Sequence, residues 1–452
     1  MSHAASPSRR PAHARPQGQP PRARARAKQP KRPARADAKR AAAIPTCDGP
    51  CPIMRACGGC EWLGLPYRKQ LMRKHAAMEA LFAPVIEQHH WDAAVEPVVG
   101  MGENGPALAS GKPASPRGFR HKAATPFAPG DDGAVIGGFF ARGTHRIVPC
   151  DACAVEAPGA RELLSDVARL ARELGIPAYD EDRGTGQLRH AIVRVGWKTN
   201  DMMLTIVTRG RKVPHLDELA ARLHEREPRL VCIAQNINPR ATNAMLGGET
   251  RILLGADHMR DELLNCTFEI SPVSFYQTNP AQTEVLYQLA IDGLNLHAGQ
   301  LLMDAYCGSG TIGLAAARAM HEAGSDIRLV GVERNPAGVR DAQRNAELNG
   351  LGEQATFIAG DATEYMERAA ARGEHIDALI MDPPRAGSTP AFLAAACRLA
   401  PQRIAYISCN PTTQARDLVQ LGQGGYRLVR LTPVDMFPHS SHTETVVILE
   451  RG

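Results

Sequence analysis

The stretch QLLMDAYCGSGTIGLAAARAM, residues 300–320, passes from an apolar run through a glycine turn into a helical pattern without a break. A short continuous apolar run closed by glycines and continued as a helix is one half of a βαβ unit, its strand covered on both faces. The pattern recurs downstream. IRLVGVE, ATFIAG, IDALIMD and RIAYIS read as strands, and NPAGVRDAQRNAELNG, TEYMERAAARG and PAFLAAACRLA as the helices between them. That alternation predicts a doubly covered, Rossmann-like parallel sheet. The C-terminal YRLVRLTPVDMFPHSSHTETVVILER instead reads strand, loop, strand, and predicts an antiparallel hairpin that closes the sheet.

Upstream the texture differs. AVIGGFF, HAIVRVGW, DMMLTIVTRG and LVCIAQNI are strand-like, with the helical ARELLSDVARLARELGI among them, which predicts an α+β region. Apolar spacing from Tyr67 through Phe82 predicts an amphipathic helix. These shifts divide the chain into a basic tail (1–46), a Cys-bearing and central α+β part (47–270), and a C-terminal strand–helix domain (271–452).

The net charge of +6 over 452 residues belongs to the tail. Residues 1–45 hold twelve Lys or Arg and one acid, so that segment is +11 and the remainder is 6 − 11 = −5. Rich in Pro, Ala and Arg and poor in apolar side chains, the tail is expected to be disordered and to attract phosphate backbones in a salt-sensitive way. A purely solubilising tail has the same composition. No apolar signal segment or membrane-length run occurs, and the expected setting is cytoplasmic. Six of the eleven cysteines fall in two groups, Cys47, Cys51, Cys57 and Cys60, then Cys150 and Cys153. Outside secreted scaffolds, clustered cysteines point to metal binding or catalysis.

Gly308, Gly310 and Gly313 form G-x-G-x-x-G, which lets a ligand approach backbone amides, although a plain tight turn needs the same residues. Glu333 ends the next strand, about 20 residues on, where an acid can take both hydroxyls of a ribose. Asp361 follows the third strand and could hold an adenine amine. NAD and S-adenosylmethionine fit these features equally. IMDPPRAG then places Asp382 at the fourth strand tip before two prolines, a rigid loop suited to presenting a carboxylate and carbonyls to a base beside a methyl donor; a helix cap is the other reading.

YISCNPTTQARDL puts Cys409 at the lip of the fifth strand. Carbon 5 of a pyrimidine is too electron-poor to attack a methyl sulfonium directly. A thiolate adding to carbon 6 makes it nucleophilic, and a separate base must then remove the carbon 5 proton. Glu444, just before the apolar VVIL run, is the candidate base; an exposed strand-end acid is the alternative, and a metal set of His439, His442, Glu444 and Cys409 matches no common zinc spacing.

These motifs, DAYCGSGTIGL, GVERN, MDPPRAG, YISCNPTTQARDL and VDMFPHSSHTETVVIL, together with SFYQTNP, resemble the RNA uracil-5 methyltransferases, which make 5-methyluridine from S-adenosylmethionine. The resemblance runs from about Cys51 to the C-terminus. It implies a class I S-adenosylmethionine-dependent methyltransferase fold with a terminal antiparallel hairpin, beside the central α+β domain. Cys409 is then the nucleophile and Glu444 the proton acceptor, while Gln277, Tyr306, Glu333 and Asp382 bind the cofactor, joined by Gly308, Gly310 and Asp361. CPIMRACGGC is similar to the iron–sulfur segment of the 23S ribosomal RNA members. This implies Cys51, Cys57, Cys60 and Cys153 around a [4Fe–4S] cluster, with Cys47 and Cys150 as substitutes, although spacing alone fits a Cys₄ zinc site as well. The implied partner is a loop or opened helix of 23S ribosomal RNA, with no membrane and no obligate protein partner. Transfer RNA is the rival substrate, and an iron–sulfur RNA-binding protein without transferase activity is the rival outside the class. The sequence departs from many relatives in lacking room for an N-terminal RNA-binding barrel and in having Thr311 after Gly310. Arg120 and Lys122 in FRHKA are candidate RNA contacts, or simply a solvated strand face.

Overall fold

The computed structural model describes residues 51–102, 115–242 and 244–452; the basic tail and Cys47 lie outside them. Helix α1 (Tyr67–Gln88) comes first. Strands β1 (Lys122–Pro129), β2 (Val135–Phe140), β3 (Ile147–Pro149), β4 (Leu188–Val195), β5 (Met202–Thr208), β6 (Leu230–Ile237) and β7 (Glu249–Gly255) form a mixed sheet in the order 3-2-1-4-5-6-7. Helices α2 (Ala160–Glu173) and α3 (Leu216–Arg226) supply Leu163, Leu164, Val167, Leu219 and Leu223 to one core with Val193, Leu204 and Ile206 from its strands. This is the α+β part expected from the sequence.

A hairpin, β8 (Met259–Leu263) and β9 (Cys266–Ile270), and helix α4 (Pro280–Leu294) lead into the second half. There β10 (Leu301–Asp304), α5 (Thr311–Glu322), β11 (Arg328–Glu333), α6 (Pro336–Leu348), β12 (Ala355–Ala359), α7 (Ala362–Ala371), β13 (Ala378–Met381), α8 (Pro390–Leu399), β14 (Arg403–Ser408) and α9 (Pro411–Gln423) alternate. The terminal hairpin is β15 (Tyr426–Val434) and β16 (Glu444–Arg451). The sheet order is 12-11-10-13-14-16-15, with β16 antiparallel to both neighbours. The chain therefore runs outward from β10 to one edge, returns and runs to the other, and leaves a crevice at the carboxyl ends where the order reverses.

Burial explains why the central strands β13 and β14 are apolar almost throughout. Ala405 and Ile407 of β14 face a core with Leu286, Ile312 and Ile448, whereas Ile404 and Tyr406 face one with Phe82, Phe392 and Leu421. Alternate side chains thus enter opposite layers, and both are filled. α1 belongs to the second layer through Met78, Phe82 and Val85. The β8–β9 hairpin docks on α6, with the Asn345 and Asn349 side chains accepting the Glu269 and Thr267 amides at 2.8 and 2.9 Å.

The hairpin register also brings two candidate residues together. Ser408 pairs with Thr445 across β14 and β16, so the next residues along, Cys409 and Glu444, oppose each other at the strand ends. Two residues 35 positions apart are brought together by strand pairing alone.

Candidate active site

A cavity of about 790 Å³ opens at the carboxyl ends of β10, β11, β12, β13 and β14. Gln277, Tyr306, Gly308, Glu333, Asp361, Asp382, Cys409 and Glu444 all line it. Gly310 does not. A Cβ there would meet Leu314, Ala342 and Phe357 at 3.0–3.2 Å, and its φ of +82° is the left-handed region that caps α5, so this glycine serves the turn.

Glu333 is held by two backbone donors, Gly308 N–H at 3.1 Å and Asn335 N–H at 2.6 Å, which aim its carboxylate across the glycine loop. One oxygen of Asp361 caps α7 by accepting the Thr363 and Glu364 amides at 2.9 and 3.2 Å. Its other oxygen stands 3.7 Å from Arg334 on the cavity rim. The capping role considered for Asp382 falls to Thr389 instead, whose hydroxyl accepts the Phe392 amide at 3.1 Å. Among the described residues no protein donor meets the Asp382 carboxylate, which faces the cavity.

Cys409 is half-buried, and the turn that carries it is locked to the Asp382 loop. The Asn410 side chain donates to the Arg385 carbonyl at 2.8 Å, and the Ser408 hydroxyl and Asn410 backbone bond each other at 3.1 Å. Arg385 and Cys409 thus line the same cavity, and the guanidinium charge acts on the thiol. Burial pushes the Cys409 thiol up, Glu444 and Asp382 push it further, and Arg385 opposes all three. Glu444 is only 4% exposed, which removes the reading as a solvated strand-end acid. Burial lifts its carboxyl to about 7, again with Arg385 pulling the other way. Asp382 is raised by burial, then by Glu444 and Asp304; Asp304, behind the glycine loop, is pushed up to about 7, chiefly by burial. A cavity with this much unbalanced carboxylate favours a cationic occupant, and the sulfonium of S-adenosylmethionine is one. If Glu444 acts as a base it works only when ionised, so turnover should climb as pH rises through about 7. A pH–rate profile flat from 6 to 9 would exclude that role.

Sequence reading did not assign Arg385, Phe275 or Phe437 and weighed His442 only within a metal set, yet all four line the cavity. Arg385 stood inside the quoted MDPPRAG, but nothing local shows where its side chain turns. Phe275 is 65% exposed at the rim, a free aromatic face suited to a nucleobase.

A second, small cavity gathers Cys51, Cys57, Cys60, Cys150 and Cys153 with Ile53, Met54, Leu63 and Phe139. Among the described residues no three His, Cys, Asp or Glu side chains converge closely enough to hold a metal ion, so the ligand set implied by the resemblance is not shown. The donor chemistry still suits a soft metal or cluster: thiols in an apolar wall. Burial and neighbouring thiols raise Cys60 to about 11; burial and Glu156 raise Cys153 to about 12. An uncompensated thiolate is disfavoured there, so a cationic centre would have to displace these protons.

Comparison with known proteins follows the same geometry. A family model described as tRNA (Uracil-5-)-methyltransferase matches residues 243–452. An uncharacterized RNA methyltransferase of Halalkalibacterium halodurans is 38% identical over 89% of this chain and 83% of its own length. The chain belongs to the RNA uracil-5 methyltransferase family. Another uncharacterized RNA methyltransferase, from Oceanobacillus iheyensis, is 37% identical over 87% of this chain and 81% of its own. The crystal structure of the Pyrococcus abyssi tRNA (uracil-54, C5)-methyltransferase with S-adenosyl-L-homocysteine is similar to this fold, with a TM-score of 0.68 and 25% identity over 87% of this chain and 86% of that one. The protein is thus an S-adenosylmethionine-dependent RNA uracil-5 methyltransferase with a class I fold. No helix of the described residues is long and apolar enough to cross a membrane.

Proposed function

We propose that this enzyme methylates carbon 5 of a uridine in 23S ribosomal RNA through a covalent Cys409 adduct, in the cytoplasm. The observation that carries the chemistry is the Cys409–Glu444 juxtaposition across the ends of β14 and β16, with Arg385 in the same cavity wall and its charge acting on both. The Cys409 thiolate adds to carbon 6, forming an S–C bond and moving the ring electrons into an enolate. Carbon 5 then takes the methyl group, and the sulfonium leaves as a neutral thioether. Glu444 removes the carbon 5 proton; the pair re-forms the carbon 5–carbon 6 double bond and expels the thiolate. Gln277, Tyr306, Gly308, Glu333, Asp361 and Asp382 bind the methyl donor in this reading, with Glu333 on its ribose. The target base must leave its stack to reach the cavity, so a loop or opened helix is the substrate form. Residues 47–270 are the RNA-binding part and 271–452 the catalytic part in the same reading.

The five thiols around one cavity support a [4Fe–4S] cluster on Cys51, Cys57, Cys60 and Cys153. Such a centre would clip the Cys51–Cys60 segment to the β3–α2 connection, beside the Cys57–Ala141 bridge that already joins that segment to the β2–β3 connection. Protein purified without oxygen should carry iron and acid-labile sulfide in about a 4:4 ratio, lost in Cys60→Ser and Cys153→Ser. Stoichiometric zinc with no sulfide would replace the cluster by a Cys₄ site.

Transfer RNA is the second reading, favoured by the similarity to the Pyrococcus abyssi enzyme. Incubating the protein and S-adenosylmethionine with 5-fluorouridine-containing ribosomal and transfer RNA separates the two. Fluorine cannot leave as a proton, so the adduct is trapped and the attached RNA can be sequenced. Adducts on transfer RNA alone would overturn the ribosomal assignment.

A further inference from the structure

Residues 435–443 lead into Glu444 and contribute Phe437, His442 and Thr443 to the cavity wall. The segment has little regular structure of its own. Met436 N–H bonds Val434 at 3.1 Å, Ser440 N–H bonds Phe437 at 3.3 Å, and His439 sits at a left-handed φ of +68°. Beside bonds that join Val99, Asn279 and Gln282 to its first residues, it is held from more than 350 positions away. The Lys74 ammonium, fully buried on α1, donates to Asp435 Oδ1 at 2.6 Å, the Phe437 carbonyl at 3.2 Å and the His442 carbonyl at 2.5 Å. All three of its protons are used, and two of its acceptors lie at opposite ends of the turn. Tyr67 donates to the other Asp435 oxygen at 2.7 Å, and the Gln70 side chain accepts the His439 amide at 2.9 Å.

The Glu444 carboxyl, by contrast, feels burial and the charge of Arg385 but no side-chain or backbone hydrogen bond among the described residues. Its carboxylate is aimed only by the backbone that delivers it. We propose that Lys74 is a positioning residue for Glu444: its ammonium staples the two ends of the 437–442 turn, and so sets the place of the base relative to Cys409. The inference rests on Glu444 being the base in the reading above. A buried charge is retained here because a neutral side chain could not supply three donors to one anion and two carbonyls. Burial pulls the ammonium towards neutrality, and Asp435 pulls it back.

The test uses the full-length Lys74→Gln protein and the Lys74→Gln/Asp435→Asn pair, the second removing the lone charge that could prevent folding. Adduct formation with 5-fluorouridine RNA needs Cys409 and the methyl donor but not proton removal, so it should proceed near the wild-type rate. On ordinary uridine RNA, kcat should fall about 30-fold or more while both KM values move less than about threefold. A methylated, denaturation-stable adduct should accumulate, because elimination is the step that fails. A Lys74 with a merely structural role would lower adduct formation and turnover together, and that result overturns the proposal. Unchanged kcat overturns it too, as does failure of both variants to fold. If the wild-type protein itself forms no adduct, the covalent reading fails, and Lys74 is then judged by the kcat-against-KM split alone.

Discussion

Cys409→Ala should reduce methylation by about 10⁴-fold or more while leaving S-adenosylmethionine binding intact, the size of loss seen when the nucleophile is removed from a catalytic unit. The thiol has no structural duty that alanine would abandon. Half-buried at the cavity wall, it packs into neither core of the catalytic sheet, and the groups that act on it are Glu444, Asp382 and Arg385, all in the cavity wall. The turn that presents it is held by Ser408 and Asn410, both of which survive the change. Calorimetry with the methyl donor and a methylation assay on the trapped RNA species read the two halves of the expectation. Weakened cofactor binding would mean that Cys409 builds the donor pocket. Retained methylation would mean that carbon 5 is activated without a covalent bond.

The catalytic half was legible because its strands are buried on both faces and therefore read as unbroken apolar runs, from LLMD to RIAYIS. The hairpin followed from the absence of any helical run after residue 426, and it carried the Cys409–Glu444 pairing with it. The elements that escaped have physical reasons. β1 contains Pro126 and Pro129, residues that normally argue against a strand. β7 lies at the sheet edge with a half-exposed pattern. The β8–β9 turn runs through Leu264 and Asn265, both at positive φ, where Asn-Gly would have announced a hairpin. α9 begins on Pro411, which suits the first helical position but reads as a breaker beside Asn410. At the site, the carboxylates and the thiol could be placed from strand tips. Arg385 could not, because its direction depends on Asn410 gripping its carbonyl. Lys74 was further out of reach: it looks like a solvent-facing helix residue until the loop at 435–443 closes over it.

Glu444→Gln should lower turnover by about 10²–10⁴-fold, the usual worth of a positioned base, while the first methyl transfer still occurs. The product should therefore appear as methylated RNA bound to Cys409 and stable to denaturation, a signature that Cys409→Ala cannot give. The same substitution should make the protein more stable at pH 8. Burial lifts the Glu444 carboxyl from an ordinary 4.5 to about 7, so the folded state binds its proton more tightly than the unfolded chain does. That stabilisation is fully present below about pH 4.5 and is lost as pH rises through 7. With a shift of this size the wild-type protein forgoes roughly 3 kcal/mol at pH 8 that the neutral glutamine keeps. Melting temperatures of the two proteins should thus converge near pH 5 and separate above 7, with the variant higher. A Gln variant less stable at pH 8 would show that Glu444 is ionised and satisfied in the fold, and the rise of turnover through pH 7 would then belong to another group. If the variant instead turns over normally, proton removal belongs elsewhere in the cavity, with Asp382 the nearest carboxylate on the opposite strand tip.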